Sequence, residues 1–167
     1  MTNMPSNKED ASASNLRKVL SHYLTGVTIV TVTKPDGTPY GLTVNSFNSV
    51  SLTPPLILWS LDNKNSHLTL FQNTAGYAIN IMAADQTHLC KRFAGQESNR
   101  FADVDWTVGA SGQPLINNAL AHIECRPWQN YAGGDHTIFV GEVVSARHLS
   151  DRPAAAFFKG QLGQYES

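Results

Sequence analysis

Hydroxyl and amide side chains are concentrated in residues 43–51, TVNSFNSVS, a segment that begins like a β-strand and then turns polar. Buried hydroxyl and amide groups need hydrogen-bond partners. Asn and Ser side chains commonly bond their own backbone at a bend, and this is one interpretation. The other is that a strand ending in hydroxyls, amides and free backbone N–H groups holds a flat heteroaromatic ring with carbonyl and imide edges. Composition favours the bend, whereas the position beside an apolar strand favours the ring.

Two polar clusters are candidates for binding a phosphate. In LDNKNSH, residues 61–67, Ser66 precedes a predicted short helix whose N-terminus would favour an anion, and Lys64 would add a mobile positive charge. The alternative is a solvated turn that ends in a helix cap. Lys91 and Arg92 could be an ordinary exposed helix end, or they could clamp a phosphate of the same ligand.

The segment AGGDH, residues 132–136, brings two glycines next to an acid and an imidazole. Glycines allow close approach of a second molecule, and Asp135 would give the His136 ring a charged neighbour at the start of a strand. In isolation, a hairpin loop with a surface histidine would explain the same residues.

Common enzymatic motifs are missing from the sequence. It has no GxGxxG, GxxxxGK[ST], HExxH or GxSxG, so the residues do not support a P-loop, a zinc hydrolase or an α/β-hydrolase. Its six histidines are scattered without i,i+4 spacing, and we expect no metal. Cys90 and Cys125 lack CxxC spacing, which predicts free buried thiols. We assign no catalytic acid or base.

The composition limits both the domain count and the classes of partner. The chain has 167 residues, 41% of them hydrophobic and 15% charged, which fits one domain with one core. A formal net charge of -1 offers no basic field for nucleic acid or an anionic membrane. The apolar runs are too short to span a bilayer, and the first residues lack the apolar segment of a signal peptide. We therefore expect a cytoplasmic protein.

Hydrophobic periodicity predicts one domain at 14–167 after a flexible polar arm at 1–13. A helical stripe of Leu16, Val19, Leu20, Tyr23 and Leu24 ends before Gly26. Strands are predicted at 27–32, 40–44, 56–61, 77–81, 119–128 and 136–147, with a turn at 34–37 and a long hairpin loop at 131–135. Helices are predicted after Ser66 through Phe71 and at 83–95, and Phe101, Val104 and Trp106 should anchor an irregular segment at 96–118. This order predicts a mainly β fold, a closed or split barrel with a few covering helices, and does not fit a Rossmann domain.

Several segments together resemble the short-chain flavin reductases, the reductase partners of two-component flavin-dependent monooxygenases. The likeness is carried by YLTGVTIVTV at 23–32, GLTVNSFNSVSLTPPLILWSLDNKNS at 41–66, YAINIM at 77–82, CKRFAG at 90–95, the run from Trp106 to Leu115, ALAHIEC at 119–125 and GDHTIFVGEV at 134–143. It covers nearly the whole chain after the arm. At the C-terminus it departs from the family's Arg-Gly-x-Tyr pattern, because the chain has Lys159, Gly160, Gln161 and Leu162 there.

The resemblance implies an FMN-binding, Greek-key split barrel that forms a homodimer. NADH or NADPH would reduce FMN or FAD, and the reduced flavin would leave for a separate oxygenase component. Together with the clusters above, it gives the candidate flavin-binding residues Thr43, Val44, Asn45, Ser46, Phe47, Ser51, Asp62, Lys64, Ser66, Lys91, Arg92 and Phe93, and it places His136 beside the nicotinamide.

Two other functions remain open from the sequence. One is a flavoprotein that keeps a fixed FMN and acts on another small molecule. The other is a flavin-binding module without turnover. If the protein is a flavin reductase, hydride transfer to the flavin would leave negative charge on the ring. Backbone N–H groups near residues 45–47 could stabilise that charge without an acid or a metal.

Overall fold

Residues 12–166 are described by a computed structural model of the chain, and antiparallel strands dominate it. The helices are α1 (Ala13–Leu20), α2 (Leu68–Gln72) and α3 (Thr87–Ala94), and a 3-10 turn (Ala84–Gln86) precedes α3. The strands are β1 (Thr25–Gly26), β2 (Thr28–Thr33), β3 (Pro39–Val44), β4 (Asn48–Leu52), β5 (Pro55–Asp62), β6 (Tyr77–Ile81), β7 (Trp106–Val108), β8 (Pro114–Ile116), β9 (Ala121–Gly133), β10 (His136–His148), β11 (Ala154–Phe158) and β12 (Gln161–Tyr165). No helix in this range is long and apolar enough to cross a membrane.

A seven-stranded sheet in the order β3-β2-β6-β9-β10-β5-β4 forms the split barrel. Its two end strands, β3 and β4, are consecutive in the chain, so residues 45–47 lead from one edge of the sheet to the other. A three-stranded sheet (β1-β11-β12) and the β7–β8 hairpin pack outside it. The mainly β prediction and the predicted β2–β3 hairpin are confirmed.

Strand β2 separates two hydrophobic cores. Val30 and Val32 point into the barrel, where Trp59 stacks on Phe139 with ring centroids 4.5 Å apart. Ile29 faces the opposite side, toward α3 and the β8 strand. Because both faces are covered, β2 is buried over most of its length, which explains why its sequence is β-branched throughout rather than alternating.

Helix α3 packs closely on β3 because position 41 has no side chain. A Cβ on Gly41 would lie 2.9 Å from the ring of Phe93, a contact that real Cβ atoms do not make. The Thr43 hydroxyl donates to the carbonyl of Cys90 at 2.8 Å and ties the same two elements together. The predicted helix end at Gly95 is confirmed, and the end of α3 lies beside β3.

The β9–β10 hairpin corrects the predicted loop at 131–135. β9 continues to Gly133, which pairs with His136, so the turn contains only Gly134 and Asp135. Gly134 has φ +73°, as the first position of a type II′ turn requires. The glycines that suggested a loop belong partly to the strand, and His136 begins β10 as predicted.

Helix α1 ends earlier than the apolar stripe suggests. Ser12 caps it and Leu20 is its last residue, so Tyr23 and Leu24 lie beyond the helix. The Ser21 hydroxyl donates to the Lys18 carbonyl at 2.7 Å, and the backbone N–H of Ser21 donates to Arg17. These bonds satisfy the last carbonyls before Gly26 is reached. Residues 1–11, most of the predicted arm, lie outside the described range.

Six short strands, β1, β4, β7, β8, β11 and β12, have no counterpart in the sequence prediction, and one helix cap is wrong. β4 begins within the polar segment 43–51 and ends at Leu52, its residues do not alternate, and β7 and β8 have three residues each. β11 and β12 meet at a turn in which Lys159 and Gly160 both have positive φ, so the divergent C-terminal residues form a hairpin. His67, not Ser66, precedes α2, and its side chain makes no capping bond.

The Ser46 side chain links the β3-to-β4 connection to β5. Its hydroxyl oxygen accepts from the backbone N–H of Ser60 at 2.9 Å and donates to the carbonyl of the same residue at 3.2 Å. The hydroxyl therefore replaces a rung of the ladder between β4 and β5 and holds residues 45–47 in place.

We expect Ser46→Ala to lower the free energy of unfolding by about 1–3 kcal/mol, because it leaves the half-buried backbone groups of Ser60 without a partner. Ser49→Ala is the matched control, since Ser49 is exposed on β4 and its hydroxyl makes no hydrogen bond to residues 12–166. Urea unfolding of both variants measures the difference. Equal stabilities would show that the link contributes nothing.

Candidate functional site

Two clefts meet at the corner formed by residues 45–47. The smaller, called here the barrel cleft, has a volume of about 310 Å³ and is lined by Leu42, Thr43, Val44, Asn45, Ser46, Ser60, Leu61, Asp62, Asn65, Phe93, Ala94, Arg100 and His136. The larger, called here the helix cleft, has about 640 Å³ and is lined by residues of α1, β1 and the corner, with Phe157 and Gly160. Asn45 and Ser46 belong to both clefts. Both volumes suit small-molecule sites.

The corner supplies unpaired hydrogen-bond donors to both clefts. Within residues 12–166, the backbone N–H groups of Asn45, Ser46 and Phe47 donate to no protein acceptor. The Asn45 side chain is exposed, and the Phe47 ring packs against the barrel core. The protein's own backbone therefore satisfies the Ser46 hydroxyl, as the bend interpretation expects, and binding of a ligand by the backbone amides stays a prediction.

An apolar wall faces these donors in the barrel cleft. Val44 and Phe93 are buried, and Phe93 also contacts Phe101 edge-to-face with centroids 5.0 Å apart. The Thr43 hydroxyl already donates to Cys90 and keeps only its acceptor capacity for a ligand. Donors on one edge and an apolar face beside them suit a flat ring with carbonyl groups on one edge.

His136 lies at the other side of the barrel cleft. Its Nδ1 is 2.7 Å from Oδ1 of Asp135, and its side chain is 43% exposed. The hydrogen bond to His136 lowers the pKa of the Asp135 carboxyl below its usual range. Because the carboxylate occupies Nδ1, the imidazole presents Nε2 to a ligand.

Lys64 and Ser66, two of the predicted phosphate contacts, line neither cleft. Asp62, just before them, does line the barrel cleft, and its carboxylate accepts the backbone N–H of Lys64 at 2.8 Å, so it organises the turn. Lys64 is exposed, and the hydroxyl of Ser66 lies 3.1 Å from Nδ1 of His67. Helix α2 has only five residues and offers little dipole to an anion.

Three other predicted residues also lie outside the lining of the two clefts. Arg92 donates from Nη1 to the carbonyl of Ala102 at 2.6 Å, and Lys91 is exposed on α3. The Ser51 hydroxyl accepts the backbone N–H of Thr53 at 3.2 Å. The structure thus brings Thr43, Val44, Asn45, Ser46, Asp62, Phe93 and His136 together in the barrel cleft and Phe47 into the helix cleft, and leaves Ser51, Lys64, Ser66, Lys91 and Arg92 apart.

Arg100 is the main site residue that sequence reasoning missed. Its guanidinium donates to the Tyr40 hydroxyl at 3.0 Å and to the carbonyls of Gly41 and Gly95 at 2.8 and 2.5 Å. Its Nε is buried without a protein partner, and no carboxylate of the described residues pairs with it. An uncompensated guanidinium makes this side of the cleft favourable for an anion. The irregular segment 96–118 gave no pattern that singled it out.

A second positive charge lies beside Tyr40, whose ring is outside the lining of the barrel cleft. The His67 ring stacks on Tyr40 with centroids 4.0 Å apart, and Lys34 lies 5.7 Å from the same ring. Burial lowers the pKa of His67, and the charges of Lys34 and Arg100 lower it further. The lowered pKa favours the neutral His67 ring, and the fixed positive charges beside Tyr40 are those of Lys34 and Arg100.

The clefts offer no activated thiol. Cys90 and Cys125 are free and buried, as predicted. Burial raises the pKa of Cys90 to about 11 and that of Cys125 to about 12, so both remain protonated near neutral pH. The described residues also contain no group of three or more His, Cys, Asp or Glu side chains placed to hold a metal ion. The donors and apolar side chains that line the barrel cleft can bind planar ligands and orient them side by side.

Comparison with known proteins identifies the family to which the chain is similar. A model described as "Flavin reductase like domain" matches residues 20–166. The FMN reductase (NADH) SmoA of Agrobacterium fabrum is 42% identical over 154 residues, covering 92% of this chain and 87% of SmoA. The reductase subunit HsaB of a flavin-dependent monooxygenase from Rhodococcus jostii is 34% identical over 145 residues, covering 87% of this chain and 74% of HsaB.

Solved structures agree with the sequence relatives. The NADH:FAD oxidoreductase SgcE6 of Streptomyces globisporus, in complex with NAD and FAD fragments, superimposes with a TM-score of 0.86 at 38% identity, covering 91% of this chain and 92% of SgcE6. The family model spans the barrel, the barrel cleft and the C-terminal hairpin. The chain therefore belongs to the flavin reductase-like domain family.

Proposed function

We propose that the protein is an NAD(P)H-dependent flavin reductase that transfers a hydride from NADH or NADPH to FMN or FAD. Relatives named as an NADH-dependent FMN reductase, an NADH-dependent FAD reductase and a monooxygenase reductase subunit support this function. The observation that carries it is the corner of unpaired backbone donors at Asn45, Ser46 and Phe47, which lies between two clefts and has His136 on the far side of one of them.

The residues of the corner fit a flavin. When bound, the flavin supplies a ring that accepts a hydride from the nicotinamide and later passes it on. The backbone N–H groups of Asn45, Ser46 and Phe47 are fixed donors for a carbonyl edge and favour negative charge there. Val44 and Phe93 exclude water from the adjoining face. No acid, base or metal is needed for these residues to act.

His136 has the position and chemistry to orient a nicotinamide. Its Nδ1 is committed to Asp135, which leaves Nε2 for the carboxamide, or the ring face for stacking. Reaction between two bound rings depends on their alignment, and a misplacement of about 1 Å can cost on the order of a hundredfold in rate. The role proposed for His136 is orientation, without proton transfer.

Lys64, Ser66, Lys91 and Arg92 remain predicted contacts for a flavin phosphate. None lines the clefts, whereas Arg100 places an uncompensated charge in the barrel cleft, between β3 and the residues after α3. A phosphate drawn toward this side would lie near α3, where Lys91 and Arg92 also are. Lys64 and Ser66 would contact a flavin phosphate only if the turn at 63–66 moved toward the barrel cleft.

Delivery of reduced flavin to a separate oxygenase component is the final step of the proposed function. HsaB is named as the reductase subunit of such a monooxygenase. Both clefts open to solvent along one side, so bound molecules have a route in and out. A reductase that releases its reduced flavin benefits from moderate flavin affinity, because tight binding would slow turnover.

The cytoplasmic location of the protein also stays a prediction.

We expect the purified protein to oxidise NADH or NADPH only when FMN or FAD is present, because residues 12–166 provide a corner for a flavin but no other hydride acceptor. Absorbance at the nicotinamide band, with each flavin added in turn to flavin-free protein, measures this. Absorbance of the protein as purified separates a fixed flavin from an exchangeable one. Rapid oxidation by flavin-free protein would contradict the proposed function, and flavin binding without oxidation would indicate a non-catalytic module.

We expect His136→Ala to lower NAD(P)H-dependent reduction of flavin by about tenfold to a hundredfold through loss of orientation, with flavin affinity nearly unchanged. His88→Ala is the matched control, since His88 is exposed on α3 and makes no side-chain hydrogen bond within the described range. Fluorescence quenching measures flavin affinity, and stopped-flow absorbance measures reduction. A large loss of flavin binding with normal reduction would assign His136 to the flavin instead.

We also propose that two copies of the chain form a homodimer through α1 and the residues that follow it. Leu16, Val19, Leu20, Tyr23 and Leu24 are each at least 49% exposed, an unusual concentration of apolar side chains. Leu20, Tyr23 and Leu24 also line the helix cleft, so a second copy packed there would complete a wall of that cleft. A two-fold arrangement is the commonest way for one surface to cover itself.

Val19→Glu should shift a dimer to a monomer, because it places a charge in the proposed interface without altering the lining of the helix cleft. Val108→Glu is the control, since Val108 is equally exposed but lies on β7. Sedimentation velocity at micromolar concentration measures both variants and the unaltered protein. A fully active monomer of the unaltered protein would refute the dimer.

A further inference from the structure

Asn63 directs three of its hydrogen-bonding groups, the backbone N–H and both side-chain amide atoms, to the start of β10 and the turn before it. Its backbone N–H donates to the carbonyl of Asp135 at 2.9 Å, and its Nδ2 donates to the carbonyl of Gly134 at 3.2 Å. Its Oδ1 accepts the hydroxyl of Thr137 at 2.8 Å. These contacts lie on both sides of His136 in the sequence and join the end of β5 to the start of β10.

The hairpin tip has little other support. His136 is the first residue of β10 and forms the end pair of both ladders, with Asp62 on one side and Gly133 on the other. The two turn residues beyond it are exposed, and Gly134 places no side chain on a neighbour. Exposed hairpin ends with few contacts open locally at low cost. The bonds from Asn63 therefore decide how firmly the start of β10 is held over the barrel cleft.

The orientation of the imidazole depends on the same bonds. Asp135 fixes Nδ1 of His136, but the Asp135 side chain is 86% exposed, so the position of its carboxylate follows that of its own backbone. Asn63 holds that backbone through the Asp135 carbonyl.

We propose that Asn63 is a positioning residue for hydride transfer, which acts by holding Asp135 and thereby the ring of His136 over the barrel cleft. The proposal rests on the proposed function of His136 and adds a residue that touches neither cofactor nor substrate. Asn63 lines neither cleft, although it follows Asp62 and precedes Asn65 by two positions, both of which do.

The first test compares Asn63→Ala with the control Asn73→Ala. Asn73 donates one side-chain bond to Thr69 beside α2, so both changes remove an exposed amide that bonds a backbone carbonyl. We expect Asn63→Ala to slow stopped-flow flavin reduction by about tenfold through loss of alignment and to leave the flavin dissociation constant within about twofold. Asn73→Ala should change neither. Equal rates for the two variants would overturn the proposal.

Substitutions at the partner residue test the mechanism by a matched pair. Thr137→Ser keeps the hydroxyl that donates to Asn63 and should reduce flavin at the unaltered rate. Thr137→Val keeps the shape, removes the donor and should be slowed in the same direction as Asn63→Ala. A Thr137→Ser variant as slow as Thr137→Val would show that packing, not the hydrogen bond, matters.

A double variant separates positioning from an independent structural effect. If Asn63 acts only through His136, Asn63→Ala combined with His136→Ala should be no slower than His136→Ala alone, because the group that Asn63 positions is already gone. If the rate losses of the two single variants multiply in the double variant, the proposal is overturned.

A final arm uses the flavin-free protein and requires no turnover. The imidazole nitrogen resonances of His136 report the Asp135 hydrogen bond, and we expect Asn63→Ala to broaden or shift them while Asn73→Ala leaves them in place. Unchanged resonances in Asn63→Ala would refute the positioning role. Changed resonances in a protein that never oxidises NAD(P)H with either flavin would refute the proposed function and leave the structural link standing.

Discussion

The connection from β3 to β4 is the constraint on which the site depends. Three backbone N–H groups in this connection have no protein acceptor, and such groups are stable only where water or a ligand can reach them. The Ser46 hydroxyl keeps the connection against β5 by bonding both backbone groups of Ser60. One side chain therefore closes the corner, and the backbone amides beside it are left to face the two clefts.

The remaining fold holds that corner rigid from both sides. Strand β2 lies next to β3 and is buried between two hydrophobic cores. A shift of β3 would therefore disturb the packing of these cores. Phe93 packs against Gly41, and Arg100 bonds the carbonyl of the same glycine, so α3 and the loop after it are fixed to the middle of β3. The donors are consequently preorganised, which is what a site that acts by orientation requires.

The sequence predicted the parts of the fold whose side chains carry a strong period. β2, β6 and α3 are confirmed because burial on defined faces imposes that period on their residues. β4 was missed because an exposed edge strand has no such requirement, and the length of α1 was wrong because Ser21 satisfies the final carbonyls early. Within the site, Thr43, Asn45 and His136 follow recognisable local patterns. Arg100 could not be found this way, because its partners at Tyr40 and Gly41 are about sixty positions away in the chain.

The proposed hydride transfer would depend on orientation more than on ionisable groups. Hydride transfer between two stacked rings moves no proton to the protein, so what matters is the placement of donors and ring faces, which strand ends and a hairpin tip provide. A corner that binds through backbone amides is insensitive to the identity of most side chains around it. Specificity then depends on the few residues that hold the second ring in register. Under the proposed function those residues would lie at the start of β10, where the ladder ends and the bonds from the turn after β5 continue it.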